Sequence, residues 1–150
     1  MPFRKALISL AVISMAACGP SSREWQEVAL PLPDDLPEVS YLRRPMPNLW
    51  VGTEQFRQLR IGEREPVEFP GQMGGRDTTN IYLRRDSTGA HLYFEEFGTY
   101  ATVDLSTADV SVGTVDRDSV GTFIGAFVSP EIRDLRFVPA SETRPADIGP

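Results

Sequence analysis

His91 and Glu95 are the side chains of this sequence that best fit general acid–base chemistry. In a β-strand, residues four apart lie on the same face, so the two side chains would share a surface with Tyr93, while Glu96 would point to the other face. No GxSxG motif accompanies them. We therefore expect a surface histidine, a solvated Glu95 and no catalytic residue.

Two short segments begin like ligand-binding loops. Asp116, Asp118 and Gly121 match positions 1, 3 and 6 of a calcium loop, but Val120 and Phe127 occupy positions 5 and 12, where oxygen ligands are needed. Residues 72–75, Gln-Met-Gly-Gly, lack the lysine of a phosphate-binding loop. The sequence thus predicts a turn and a helix cap at the aspartates, with no metal, cofactor or small-molecule ligand.

The N-terminus has the pattern of an export signal. Arg4 and Lys5 precede an uncharged, mostly apolar run of 12 residues, 6–17, which ends in small residues. A helix that crosses a bilayer needs about 20 apolar residues, so the run is too short for a membrane span. It is typical of the apolar region of a signal peptide, and we expect residues 1–17 to be removed.

The end of this run contains the only cysteine of the chain. The sequence Met15-Ala16-Ala17-Cys18 resembles the lipobox of bacterial lipoproteins, with Met at the position where Leu is usual. The resemblance covers the first 18 residues alone. It implies diacylation of Cys18 and anchoring in the bacterial cell envelope, facing the periplasm. Gly19, in place of Asp, resembles the sorting pattern for the outer membrane rather than the inner membrane.

The charge balance is acidic, with a formal net charge of -6. Loss of Arg4 and Lys5 with the signal peptide would take it to -8. Nucleic-acid binding needs clustered positive charge, which argues against that class of partner. Residues 86–118 contain seven acidic residues and only Arg117 as a counterbalance. This region is interpreted either as a solvated sheet surface or as a face that attracts a basic partner.

The remaining pattern predicts a small α+β domain. Six prolines between residues 19 and 48 disfavour regular structure, so residues 18–48 are interpreted as a tether with a short helix near 22–29. Its apolar residues are expected to pack on the domain, with binding of a partner as the alternative. Alternating apolar residues predict an antiparallel meander near 80–115. Apolar spacings of three and four predict short helices at 53–61, where a strand competes, and from 118 to the proline at 130.

Short strands are also expected at 67–69 and 133–138. The predicted organisation is a signal peptide (1–17), a lipid-anchored tether (18–48), one domain (49–139) and a flexible tail (140–150). The leading functional hypothesis is a non-enzymatic accessory or scaffold lipoprotein with an envelope protein as partner. The alternative is a periplasmic inhibitor or immunity-type protein that binds a basic toxin or cell-wall hydrolase through the acidic 86–118 region.

Overall fold

A computed structural model describes residues 24–45, 55–68, 78–96, 99–129 and 135–146. In this part of the chain, ten strands form two sheets in which every neighbouring pair is antiparallel. The smaller sheet has the order β1 (Gln26–Leu30), β2 (Val39–Pro45), β3 (Gln55–Ile61), β4 (Val67–Glu68). The larger has the order β10 (Arg136–Pro139), β9 (Thr122–Val128), β5 (Thr78–Asp86), β6 (Gly89–Glu96), β7 (Thr99–Asp104), β8 (Val110–Gly113).

The fold class is therefore mostly antiparallel β. The antiparallel sheet of the α+β prediction is confirmed, but its helices are wrong: within the described ranges, the only helical element is a 3-10 turn, η1 (Arg117–Ser119). The meander predicted near 80–115 is present as β5, β6, β7 and β8. Its first hairpin turns at residues 87 and 88, as the Asp-Ser-Thr-Gly sequence indicated.

Alternation of apolar and polar residues creates the main core between the two sheets. In β6, Leu92 and Phe94 face the smaller sheet, whereas Tyr93 and Glu95 face away from it. Leu59 of the smaller sheet is also fully buried in this core. Burial of such side chains contributes about 1.5–3 kcal/mol each, so this shared core is the principal force that holds the sheets together.

Residues 26–30 and 39–45, which were interpreted as part of a tether, form β1 and β2 instead. Leu30, Val39 and Tyr41 are buried in the main core, which agrees with the expectation that part of this segment packs on the domain. The prolines are compatible with the strands because Pro31 and Pro33 fall after β1, outside the ladder, and Pro45 is the last residue of β2. The helix predicted near 22–29 is wrong where the structure describes it, because β1 occupies that position.

The helix predicted over 53–61 is also wrong, because residues 55–61 form β3. The spacing of Phe56 and Leu59 suggested one helical face, but the two side chains lie on opposite faces of the sheet. Leu59 and Ile61, two residues apart, are the pair in the main core. The short strand expected at 67–69 is confirmed as β4, and the strand expected at 133–138 is confirmed as β10 within the described residues.

A β-bulge explains the wrong helix after residue 118. Gly125 pairs with Ile81 and Phe123 pairs with Tyr82, so Ile124 is an extra residue in β9. The extra residue moves Phe123 and Phe127 to opposite faces, where they join different apolar clusters. The four-residue apolar spacing that suggested one helical face therefore comes from a bulged strand that packs on both of its faces.

Two cross-sheet contacts connect distant parts of the chain. The Tyr41 ring of β2 stacks on the Phe127 ring of β9, with centroids 4.5 Å apart. The buried Arg43 guanidinium donates hydrogen bonds to Ser129 Oγ at 2.7 Å and to Gln26 Oε1 at 2.9 Å. Each bond to a charged donor adds about 1.5–3 kcal/mol in favourable geometry, so these contacts fix how the sheets face each other.

The larger sheet is also covered on its outer face. Tyr82, Tyr93, Tyr100 and Val120 form a second apolar group, the tyrosine cluster, against which Phe123 packs. Their rings meet edge to face, with the Tyr82 and Phe123 centroids 5.5 Å apart. The segment that contains η1 passes over this face, because Val120 is fully buried in the cluster.

Gly121 is needed where this segment approaches β5. Its φ is +93°, and a Cβ atom there would lie 2.5 Å from the Leu83 carbonyl oxygen. We expect Gly121→Ala to lower the free energy of unfolding by about 2 kcal/mol or more, because strain and the clash add. Gly113→Ala, which meets nothing within 4 Å, is the matched control and should change stability by less than about 0.5 kcal/mol. Equal urea midpoints for the two variants would contradict this assignment.

Candidate functional site

A buried polar network on the outer face of the larger sheet is the most chemically distinctive feature of the described residues. Its centre is Glu95, which the sequence predicted to be solvated; that prediction is wrong, because Glu95 is only 7% exposed. Asn80 of β5 and Tyr100 of β7 pair directly with Glu95 of β6, so three adjacent strands present the three side chains in one row. Strand register therefore determines the site.

The Glu95 carboxylate accepts three hydrogen bonds. Asn80 Nδ2 and Tyr82 Oη donate to Oε2, each at 2.9 Å, and Tyr100 Oη donates to Oε1 at 3.1 Å. A buried carboxylate is expensive to desolvate unless such donors replace water. The network supplies these donors from both neighbouring strands, and the tyrosine rings exclude solvent around it.

The electrostatics of the network agree with this geometry. Burial, followed by the charge of Glu95 and the hydrogen bond to it, raises the pKa of Tyr100 above its ordinary value. Burial and the hydrogen bond to Glu95 also raise the pKa of Tyr82. Arg117 of η1 lies beside this pair, and its contact with Tyr82 and the charge of Glu95 raise its pKa. The hydroxyls are thus held in the protonated form that donates to Glu95.

The same network holds the C-terminal segment. Asn80 Nδ2 also donates to the Ala146 carbonyl oxygen at 2.9 Å, and the Ala146 amide donates to Asn80 Oδ1 at 3.0 Å. The Asn80 amide therefore pairs with the main chain of Ala146 as another peptide group would. This fixes residue 146, which lies inside the segment that the sequence predicted to be a flexible tail.

This arrangement supports a structural role for Glu95. The carboxylate is buried, and its hydrogen-bond donors belong to the fold itself, whereas a general acid or base must reach a substrate. The sequence could not reveal this row, because Asn80, Glu95 and Tyr100 become neighbours only through strand register. The tyrosines were the available signal, since a buried tyrosine hydroxyl needs a polar partner.

His91 does not join Glu95. It lies on the same face of β6, but four residues along a strand correspond to roughly 13 Å. His91 Nε2 is 3.0 Å from Thr88 Oγ1, and the residue pairs across the sheet with Arg84 and Asp104. The histidine thus belongs to the hairpin end of the sheet, and the two acid–base candidates form no joint site.

Three acidic residues of the 86–118 region, Asp86, Asp104 and Asp116, accept hydrogen bonds in local turns. The Asp86 carboxylate accepts from Thr88 N at 2.8 Å, and the Asp104 carboxylate accepts from Ser106 N at 2.7 Å. Hydrogen bonds from Thr88 and Ser106, more than any charge, lower the pKa values of Asp86 and Asp104. Burial removes Glu95 from any exposed acidic face. The hypothesis that the other carboxylates bind a basic partner stays a prediction.

The calcium-like segment is a cap. The Asp116 carboxylate accepts from Asp118 N at 3.1 Å and begins η1, so Asp116, rather than Asp118 or Ser119, is the capping residue. Across the described ranges, no group of three or more His, Cys, Asp and Glu side chains is arranged to hold a metal ion. The glycine-containing stretch at 72–75 lies outside the described residues.

Cys18 and residues 1–17, which were predicted to be a signal peptide, also lie outside the described residues, which begin at Glu24. The described part of the chain contains no helix that is long and apolar enough to cross a bilayer.

Fold and network together define an antiparallel β protein of two sheets with a buried Glu–Tyr–Asn row. No protein-family model, curated protein or solved structure matches the chain.

Removal of the charge at Glu95 should destabilise the fold. A Gln side chain keeps one acceptor oxygen, but its NH2 group replaces the other acceptor and faces at least one of the present donors. We expect Glu95→Gln to lower the free energy of unfolding by about 1–3 kcal/mol. Glu27→Gln is the matched control, because Glu27 forms an exposed ion pair with Arg60, and such pairs contribute at most about 1 kcal/mol. An equal loss in both variants by urea denaturation would contradict a structural role for Glu95.

The raised tyrosine pKa values predict sensitivity to alkali. The hydroxyls ionise near their ordinary value of 10.0 in the unfolded chain and higher in the folded chain. The unfolded state therefore releases protons first, and stability falls as the pH rises above about 10. Tyr100→Phe should flatten this decline in urea midpoints measured from pH 8 to 11. A decline of the same slope in Tyr100→Phe would exclude Tyr100 as its source.

Proposed function

We propose that this chain is a membrane-anchored lipoprotein of the bacterial cell envelope. The observation that carries the proposal is the only cysteine of the chain, placed directly after a 12-residue, mostly apolar run that ends in two small residues. An exported chain with one unpaired thiol needs an explanation, and acylation provides one. Two acyl chains anchor a protein stably, whereas a single chain binds only marginally.

In this proposal the domain is a non-enzymatic accessory or scaffold module. The support is that the buried polar side chains bond to one another. Glu95, Asn80 and the two tyrosines form hydrogen bonds that connect strands and hold the C-terminal segment. What remains accessible is sheet surface and sheet edge, the features by which β proteins bind other proteins. The partner we expect is another protein of the envelope.

The position of β1 limits the distance between the domain and the membrane. β1 begins at Gln26, eight residues after Cys18, so the connection is much shorter than a leash that runs to residue 48. An extended chain spans at most about 3.6 Å per residue, which limits the connection to roughly 29 Å. We therefore propose a module that rests next to the membrane, with Gly19 favouring the outer membrane and the domain facing the periplasm.

Metabolic labelling tests the anchor. Cells that produce the chain should incorporate labelled palmitate into it, and the protein should sediment with membranes. Cys18→Ser should lose the label and leave the membrane fraction, because it lacks the thiol that is acylated. Ser22→Ala is the nearby control and should keep both properties. A wild-type chain that stays unlabelled and soluble would refute the proposal.

A further inference from the structure

Three side chains on the outer face of the smaller sheet form an aromatic row. Trp25 precedes β1, Arg44 lies on β2 and Phe56 on β3, and the register places Arg44 opposite Phe56. The Arg44 guanidinium carbon is 4.8 Å from the centroid of the Trp25 ring and 5.0 Å from that of the Phe56 ring. The cation thus lies between two aromatic rings, a favourable arrangement for both.

The two rings of the aromatic row are exposed to solvent, although large apolar side chains are usually buried. Trp25 is 37% exposed and Phe56 is 40% exposed, and both are large apolar side chains. In the described part of the chain, the Arg44 guanidinium contacts these rings and no carboxylate. The nearby Glu27 is neutralised by Arg60, whose Nη1 lies 2.6 Å from its carboxylate. The row therefore offers apolar area together with a cation that has no carboxylate partner among the described residues.

The position of the row relative to Cys18 indicates what it contacts. Trp25 is seven residues from Cys18, so an acyl anchor would hold it within about 25 Å of the bilayer. We propose that the aromatic row contacts the phospholipid headgroup layer, with Trp25 and Phe56 at the interface and Arg44 on lipid phosphate. This inference rests on the proposed acylation of Cys18.

The chemistry of the three side chains fits this location. Tryptophan is enriched at the boundary of the bilayer, where its ring reaches apolar material and its N–H stays hydrated. Arginine binds phosphate through several donors and keeps its aliphatic stem against apolar neighbours. The mature chain carries a net negative charge and has no lysine, so a general electrostatic attraction to anionic lipid cannot replace this local contact.

Tryptophan fluorescence tests the contact on the whole protein. Trp50→Phe leaves Trp25 as the only tryptophan, and the chain purified from membranes is reconstituted into phosphatidylethanolamine–phosphatidylglycerol vesicles. We expect blue-shifted Trp25 emission and strong quenching when the lipids are brominated in the upper acyl chain. Arg44→Glu and Phe56→Ser in the same background should lose most of the quenching. Both changes lie on the outer face, and unchanged circular dichroism verifies that the fold is kept.

The matched control moves the reporter to another exposed site. Val112 is 54% exposed on β8, at the opposite edge of the larger sheet from β10, the strand beside β1. A chain with Trp25→Phe, Trp50→Phe and Val112→Trp should show red-shifted emission without quenching. Equal quenching at positions 25 and 112 would overturn the proposal, because the membrane contact would then have no specific face.

A separate arm distinguishes failure of the anchor from failure of the contact. Where palmitate labelling finds no acylation, the same chain is coupled through Cys18, its only thiol, to a maleimide-bearing phospholipid. Quenching of Trp25 in that sample supports the membrane contact although natural acylation has failed. Palmitate labelling of Cys18 without quenching of Trp25 supports the anchor but overturns the proposed membrane contact of the aromatic row. Blue-shifted but unquenched emission also overturns it, since another part of the chain would then cover Trp25.

Discussion

Burial of the larger sheet on both faces is the constraint on which most of the structure depends. One face supplies the main core against the smaller sheet, and the other carries the tyrosine cluster beneath η1. A strand that is buried on both faces cannot leave its polar side chains in water, so Glu95 and Asn80 must find partners within the fold. The Glu–Tyr–Asn row satisfies this requirement, and it also fixes the C-terminal segment through Ala146.

The smaller sheet has a different character. Its inner face belongs to the main core, but its outer face carries charged side chains, an exposed ion pair and the aromatic row. The chain enters this sheet at β1, the strand nearest to Cys18. The two sheets thus differ in exposure. Both faces of the larger sheet are covered by other parts of the chain, whereas the outer face of the smaller sheet is exposed and lies close to the proposed anchor.

The sequence predicted the parts of the fold that depend on neighbouring residues. Alternation in β6 and β7 and the Asp-Ser-Thr-Gly turn are local patterns, and the hairpins they indicated are present. The errors arose where a distant contact determines the outcome. The bulge at Ile124 changes the spacing of β9, and the prolines around β1 masked a strand whose partner is β2. The burial of Glu95 could not be inferred, because its donors come from strands that precede and follow β6.

The cross-sheet contact of Arg43 with Ser129 joins residues that are 86 positions apart. Tyr41 and Phe127, which stack on each other, are equally distant in sequence. During synthesis, which starts at the N-terminus, these contacts cannot form until the last third of the chain is available. Closing so long a loop also costs conformational entropy before the core contacts offset it. Packing of the β1–β2 hairpin against the larger sheet therefore requires β9. Under the proposed export this order of events is an advantage, because a protein that cannot complete its core early remains unfolded while it crosses a membrane.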